Sequence, residues 1–334
     1  VTGQTVLARL FVDDRWSGAH GIGRYASEVL SRLSVPWRSL ALPGRPSGPM
    51  ELLRSVPVER DDALYSPGYN TFLGVRQQFV TIHDLIHLRV SGVEGLKYKA
   101  YYTAARALVR RSGLVFTVSE ASANDIRGWL RDDDVEIVNT RGGCSPAFVP
   151  DGEAADEGAP YFLFVGNLRA HKNIRTFLNA LREVEARGVV VLPQSERPEL
   201  FRLLDEMGVS NRVRVVSSIS DEELATLYRG AVALVFPSTL EGFGLPALES
   251  IRSGTPVVYW RGCDSVSEIV GPAGISVAES QDADEWAGAM QRAAHEDRRI
   301  PPGAAEQFSW DRTASSINRA LSARLGASER DGQR

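Results

Sequence analysis

The stretch Glu241-Gly242-Phe243-Gly244-Leu245-Pro246-Ala247-Leu248-Glu249 places two acids, two glycines and a proline within nine residues. Pro246 suits the start of a helix, where its missing N–H has no helical partner to lose. A helix N-terminus presents unpaired N–H groups and the positive end of the helix dipole. Gly242 and Gly244 let a ligand come close to the backbone, so the place suits an anion, with a diphosphate as the natural guest. Glu241 and Glu249 would repel a phosphate and must meet something else. Sugar hydroxyls fit, because one carboxylate accepts two of them in a fork. Glu249 is expected in the first helical turn. A Gly-x-Gly turn alone is weak evidence. The weight falls on acids, glycines and proline together.

The elements that must position these residues are legible around them. Ala231–Phe236 is a short apolar run that stops at Pro237, as a buried strand would. The following helix should run from Ala247 to about Ser253 and stop at Gly254, with Thr255–Trp260 as the next strand. A second strand–loop–helix unit starts at Tyr161–Val165. It continues through Gly166-Asn167-Leu168-Arg169-Ala170-His171-Lys172-Asn173 into a helix near Ile174. Lys172, just before that helix, is well placed to meet a phosphate. Further strands are expected at Val189–Leu192 and Val213–Val216. Ser220 and Glu223 have capping-box spacing, and a helix spans Asp282–Glu296.

In the first half, Thr5–Val12, Trp37–Leu42, Asp62–Tyr65, Phe79–Ile82, Leu114–Val118 and Val135–Asn139 read as strands. Gly21-Ile22-Gly23 opens an amphipathic helix to about Leu33, and Ser119 opens one to about Leu130. Gly21–Ala26 taken literally fits the dinucleotide fingerprint. However, a polar loop separates it from the first strand, and the next strand carries no acid for a ribose. A nicotinamide oxidoreductase is therefore set aside. His83 and Asp84 follow a strand directly, at the edge where open α/β sheets bind ligands. His83 and His87 have no third ligand nearby, so no metal is expected. Lys97, Lys99, Arg106, Arg110 and Arg111 share an acid-free helix with Tyr98, Tyr101 and Tyr102. That Lys97–Arg111 helix is a candidate for weak contact with a membrane surface, against the plainer reading of a solvated helix with tyrosines turned inward.

The chain has 334 residues, suited to two domains, with 43% hydrophobic and 24% charged residues. A net charge of −4 gives no reason to expect nucleic acid. No apolar run reaches the roughly 20 residues that span a bilayer. Arg9, Asp13 and Asp14 interrupt the first apolar stretch, so no secretory leader is expected. Two distant cysteines, Cys144 and Cys263, fit a reducing cytoplasm. The acidic, glycine-rich 151–160 segment reads as a linker. The expected division is 1–152, 153–310, and a final amphipathic helix in 311–334 with a frayed end at Ser328–Arg334.

Glu241-x7-Glu249 within E-G-F-G-L-P-A-L-E resembles the signature of retaining glycosyltransferases of family 4. Gly166-x-x-x-x-x-Lys172-Asn173, Thr81-Ile-His83-Asp84 and Ser119-Glu-Ala-Ser122 resemble that family as well. The resemblance implies an α/β chain of GT-B fold. Two Rossmann-like, doubly wound domains would face an interdomain cleft, and a C-terminal helix would cross back to the N-terminal domain. It also implies metal-independent transfer of a sugar from a nucleotide diphosphate sugar, with no other cofactor, to a saccharide or glycosylated small-molecule acceptor. On that reading Glu241, His83, Lys172 and Arg169 are catalytic, with His83 and Asp84 on the acceptor side. Donor-binding residues would be Gly21, Gly23, Gly166, Asn167, Arg169, Lys172, Val216, Ser217, Glu241, Gly242, Phe243, Gly244, Leu245 and Glu249. The loop Ser265–Glu268 resembles a further donor-side segment. Asn167 stands where many relatives carry Arg, and Asn139–Gly143 departs from the family's Asn-Gly-Val-Asp. These departures keep a non-catalytic nucleotide-sugar-binding subunit as the alternative. Arg/Ala-rich composition is compatible with an actinobacterial enzyme of oligosaccharide-antibiotic biosynthesis and equally with cell-envelope polysaccharide synthesis.

Overall fold

The computed structural model describes residues 9–331 except 19, 47, 90, 91, 297, 298 and 302. The chain splits into two compact units, Val1–Gly142 with Phe308–Arg334, and Gly143–Gln307. Each is a parallel sheet flanked by helices, the two Rossmann-like domains of the GT-B fold.

The first unit opens with β1 (Leu10–Val12), α1 (Gly21–Leu30), β2 (Trp37–Ser39), β3 (Ala63–Ser66) and β4 (Gln77–Val80). It continues with α2 (Gly92–Ser112), β5 (Leu114–Thr117), α3 (Glu120–Leu130) and β6 (Glu136–Asn139). Residues 5–8 of the expected first strand lie outside the described residues. The strands pair in parallel as β2-β1-β3-β4 and β5-β6, and a parallel bridge between Thr81 and Phe116 joins the two groups. β3 and β5 are buried at every position, as strands covered on both faces must be. β2 stops three residues short of the expected end, because Ala41 takes a left-handed φ of +50° that no strand accommodates. On α2, Tyr101 and Tyr102 are buried, and Arg106, Arg110 and Arg111 donate to backbone carbonyls of their own unit. Lys97 and Lys99 remain exposed.

The second unit contains β7 (Tyr161–Val165), α4 (Ile174–Arg182), β8 (Arg187–Val191), α5 (Arg197–Glu206), β9 (Val213–Val216) and α6 (Asp221–Gly230). It then contains β10 (Ala233–Phe236), α7 (Leu245–Arg252), β11 (Val257–Trp260), α8 (Asp264–Val270), β12 (Ile275–Val277) and α9 (Ala283–His295). Its sheet order is β12-β11-β10-β7-β8-β9, all parallel. Apolar strands meet Phe177 and Leu181 from α4, Leu200 from α5, and Trp286 and Met290 from α9 in one core. The Ser220–Glu223 capping box forms with both of its hydrogen bonds. Ser265–Glu268 is not a loop. It lies inside α8, whose first turn closes when Val266 and Ser267 donate to the Cys263 carbonyl.

The division falls at 142/143 and 307/308, not at 152/153 and 310/311. Phe148 stands edge-on to Tyr228, Ala155 donates to the Thr226 carbonyl, and Arg229 reaches the Glu153 carbonyl. The segment expected to be a free linker is therefore pinned to α6. Helix α10 (Trp310–Asp331) follows the second unit in sequence but belongs to the first. Asp311 pairs with Arg32, Asn318 bonds the backbone of Ser34 and Arg32, and Arg324 reaches Gly113 and Glu136. The helix runs through Asp331, and 332–334 lie outside the described residues.

Candidate active site

In the second unit β7 and β10 are neighbours, and strand order reverses between them. That reversal is where an open α/β sheet leaves a crevice at its carboxyl edge. The loops leaving these two strands carry Asn167–Asn173 and Pro237–Gly244. Two hydrogen bonds join them, since Thr239 donates to the His171 carbonyl through its N–H at 2.8 Å and its hydroxyl at 3.3 Å.

Across the same gap Lys172 Nζ donates to Glu241 Oε1 at 2.5 Å. The two side chains are 13% and 12% exposed, and Nζ lies 5.5 Å from the centre of the Phe236 ring. Ser265 Oγ donates to the Glu241 carbonyl at 2.9 Å, which fixes the main chain behind the carboxylate. Burial, with Lys172 and Arg169 adding to it and Glu241 opposing, holds the His171 imidazole below its ordinary pKa. Burial, with help from Glu241, pushes the Cys263 thiol up to about 11, so it stays protonated.

Both helices that start here have N-termini without a side-chain cap. Asn173 precedes α4 with φ +53° and turns its side chain to the Ser280 carbonyl. Gly244 precedes α7 with φ +111°, a conformation that disfavours any side chain. Neither helix has an acid in its first turn. Two sets of N–H groups and two positive dipole ends thus flank the Lys172–Glu241 pair.

Helix α7 begins at Leu245, so Glu249 lies in its second turn rather than its first. Glu249 is 5% exposed, and Tyr228 from α6 donates to its Oε2 at 3.0 Å. Asn167 uses its side-chain oxygen to accept from the Arg169 N–H, which shapes the turn. Gly166 donates its N–H to Val191. Arg169 itself is exposed and lines a cavity of about 420 Å³ against α5 that includes neither Lys172 nor Glu241. Gly242 and Phe243 are buried and Leu245 is half-buried. At the end of β9, the Val216 carbonyl accepts from Leu192, and Ser217 Oγ is buried with no partner among the described residues.

The remaining expected residues sit in the first unit. His83 Nε2 faces the Pro67 carbonyl at 2.9 Å, so that nitrogen carries the proton and Nδ1 is left as acceptor. Burial pushes its pKa down to about 4, and Tyr25 stands edge-on to its ring. Asp84 accepts from the Ile86 N–H in a tight turn. A Cβ on Gly23 would come within 2.4 Å of the Gly18 carbonyl oxygen, so close backbone packing alone requires that glycine. His20 caps α1 by accepting from the Gly23 N–H, beside exposed Gly21.

Sequence reasoning missed Tyr228 and the support that Ser265 gives Glu241. It also missed a charge cluster after β1. Arg15 grips Asp13 with two hydrogen bonds of 2.7 Å and Glu51 with one of 2.6 Å. Asn70 donates to Asp13 and accepts from Trp16 and Ser66. Among the described residues no three His, Cys, Asp or Glu side chains gather as metal ligands would. No described helix is long and apolar enough to cross a membrane.

Comparison with known proteins shows what the second unit is similar to. Residues 148–308 match the family model of glycosyl transferases group 1. The glycosyl transferases group 1 match begins and ends within five residues of the unit's own boundaries. The chain is 32% identical over 230 residues to O-antigen chain mannosyltransferase B of Escherichia coli, covering 61% of this chain and 59% of that protein. It is 34% identical over 240 residues to D-inositol 3-phosphate glycosyltransferase of Corynebacterium urealyticum, covering 63% of this chain and 56% of that protein. It thus spans less than two thirds of these curated relatives. The crystal structure of Anabaena Alr3699/HepE in complex with UDP and glucose superposes with a TM-score of 0.67 at 15% identity. That likeness covers 95% of this chain and all of the other, and it supports the GT-B fold.

Proposed function

We propose that this chain is a retaining, metal-independent glycosyltransferase that moves a sugar from a nucleotide diphosphate sugar to an acceptor hydroxyl. The observation that carries this reading is the convergence at the β7/β10 reversal. A largely buried Lys172–Glu241 pair lies there between two helix N-termini that lack side-chain caps. As the anomeric C–O bond breaks, the electron pair passes to the diphosphate. Lys172 and the N–H groups at Gly244 and Leu245 would receive that charge, with Arg169 as a second cation from the same loop. Preorganised donors of this kind are worth most in a site that excludes water. Glu241 would accept from the sugar hydroxyls and Glu249 from the ribose. The acceptor oxygen would then attack from the face the diphosphate leaves, passing its proton to the departing phosphate. We assign the acceptor side to the first unit, through His83 and Asp84. The relatives' names favour a carbohydrate or polyol acceptor, in envelope polysaccharide synthesis rather than antibiotic decoration.

The test is thermal unfolding with UDP, GDP and ADP at millimolar concentration, then a transfer assay with the matching sugar nucleotides, with and without a chelator. Selective binding to the folded state must raise Tm, by about 2.7 kcal/mol of stabilisation at a hundred times Kd. Absence of any shift would remove the donor site. Loss of activity in chelator would remove metal independence. Binding without transfer or hydrolysis would leave a nucleotide-sugar-binding subunit.

A further inference from the structure

The Lys172–Glu241 contact joins the group suited to the diphosphate to the group suited to the sugar. Its surroundings leave those two side chains as the parts able to rearrange. The main chain on either side is tied by Thr239 to the His171 carbonyl and by Ser265 to the Glu241 carbonyl. Lys172 and Glu241 are 13% and 12% exposed, so water can do little to solvate a partner left alone.

We infer that this pair makes the site recognise donor sugar and diphosphate as one unit and disfavour a nucleoside diphosphate that has lost its sugar. The inference rests on the donor-binding reading above. A diphosphate needs the Lys172 cation. When Nζ turns to it, Glu241 loses its ion pair of 2.5 Å, its one ion pair among the described residues, and is left largely buried. Breaking a buried pair by removing one partner is strongly unfavourable, because a charge remains without compensation. A sugar still joined to the diphosphate brings hydroxyl donors that replace the ammonium on Glu241. Free nucleoside diphosphate brings the anion without those hydroxyls, and its negative charge faces the stranded carboxylate. The intact donor is thus favoured over the spent product by a residue that need not touch the nucleotide.

The pair predicts opposite signs for binding and turnover in one variant. Glu241→Gln keeps the shape and removes the charge, so Lys172 is no longer held and nothing charged is stranded. Calorimetric titration of wild type and Glu241→Gln with UDP, GDP, UDP-glucose and GDP-mannose, at fixed salt, reads this directly. Wild type should bind the sugar nucleotide at least roughly tenfold more tightly than the matching free diphosphate. Glu241→Gln should bind the free diphosphate at least roughly tenfold more tightly than wild type does, so that the preference collapses. Should the variant fail to fold, Glu241→Ser supplies the same neutral test with a smaller side chain. Equal diphosphate affinity in wild type and the neutral variant overturns the inference while leaving the donor site standing. Failure of both proteins to bind any of the four nucleotides overturns the donor reading itself.

Discussion

Each unit holds a buried charge cluster at the carboxyl edge of its sheet, and the two are built differently. In the first unit Arg15, 6% exposed, is clamped by Asp13 and Glu51, and Asn70 locks Asp13 to Trp16 and Ser66. Glu51 is held in turn by Arg54 at 2.9 Å. Every carboxylate there has several protein partners, and none can leave without stranding another. In the second unit Lys172 and Glu241 share a single contact between two glycine-bearing loops, with helix N-termini on either side. A many-membered network resists exchange, whereas a two-membered pair beside helix N-termini without side-chain caps has one contact to break.

The sharpest way to break this contrast is Asp13→Ala. It leaves Arg15 buried with a lost partner and should cost about 3–5 kcal/mol of stability. Urea unfolding measures that loss, and a change near zero would end the reading of a network that resists exchange. Next comes Glu241→Ala, expected to lower kcat by roughly 10²–10³, the scale of one lost transition-state contact. An unchanged kcat would place Glu241 outside the chemistry. A smaller effect concerns His83, whose folded pKa of about 4 lies below the ordinary 6.5. Between those values the unfolded chain binds the proton that the folded one refuses, so stability falls as pH drops through that window. His83→Gln should flatten this part of the stability curve, measured by unfolding at several pH values. An identical pH profile would mean that His83 takes up its proton without unfolding. The smallest effect belongs to Arg175–Glu206, a pair in the second unit whose side chains are 60% and 63% exposed. Arg175→Ala should change stability by less than about 1 kcal/mol. A larger loss would show that number of partners is a poor guide to what a charge pair does here.

The sequence exposed the second unit more fully than the first. Its apolar strands, its Ser220 capping box and the Gly244–Pro246 helix start are local signals, and each has its expected counterpart in the fold. The Lys172–Glu241 contact spans 69 residues of sequence, so the two could be nominated but not joined. Tyr228 and Arg15 went unnoticed because nothing local marks them. A tyrosine in an amphipathic helix reads as core, and its hydroxyl matters only because α6 lies beside α7. Asp13 read only as an interruption of an apolar stretch, since Asn70 reaches it, and Glu51 reaches Arg15, from far along the chain. Gly23 was nominated for a ligand, and the backbone of Ser17 and Gly18 already accounts for its lack of a side chain.

Helix α10 closes the first unit from the far end of the chain, through Asp311, Asn318 and Arg324. On the ribosome, the second unit can therefore be finished while the unit begun earlier still waits for its last helix. Domains generally fold as units in order of synthesis. Here the order is inverted for completion: the amino-terminal half starts first and is sealed last. A stop codon shortly after Gln307 would spare the fold of the residues translated just before it and injure the residues translated first.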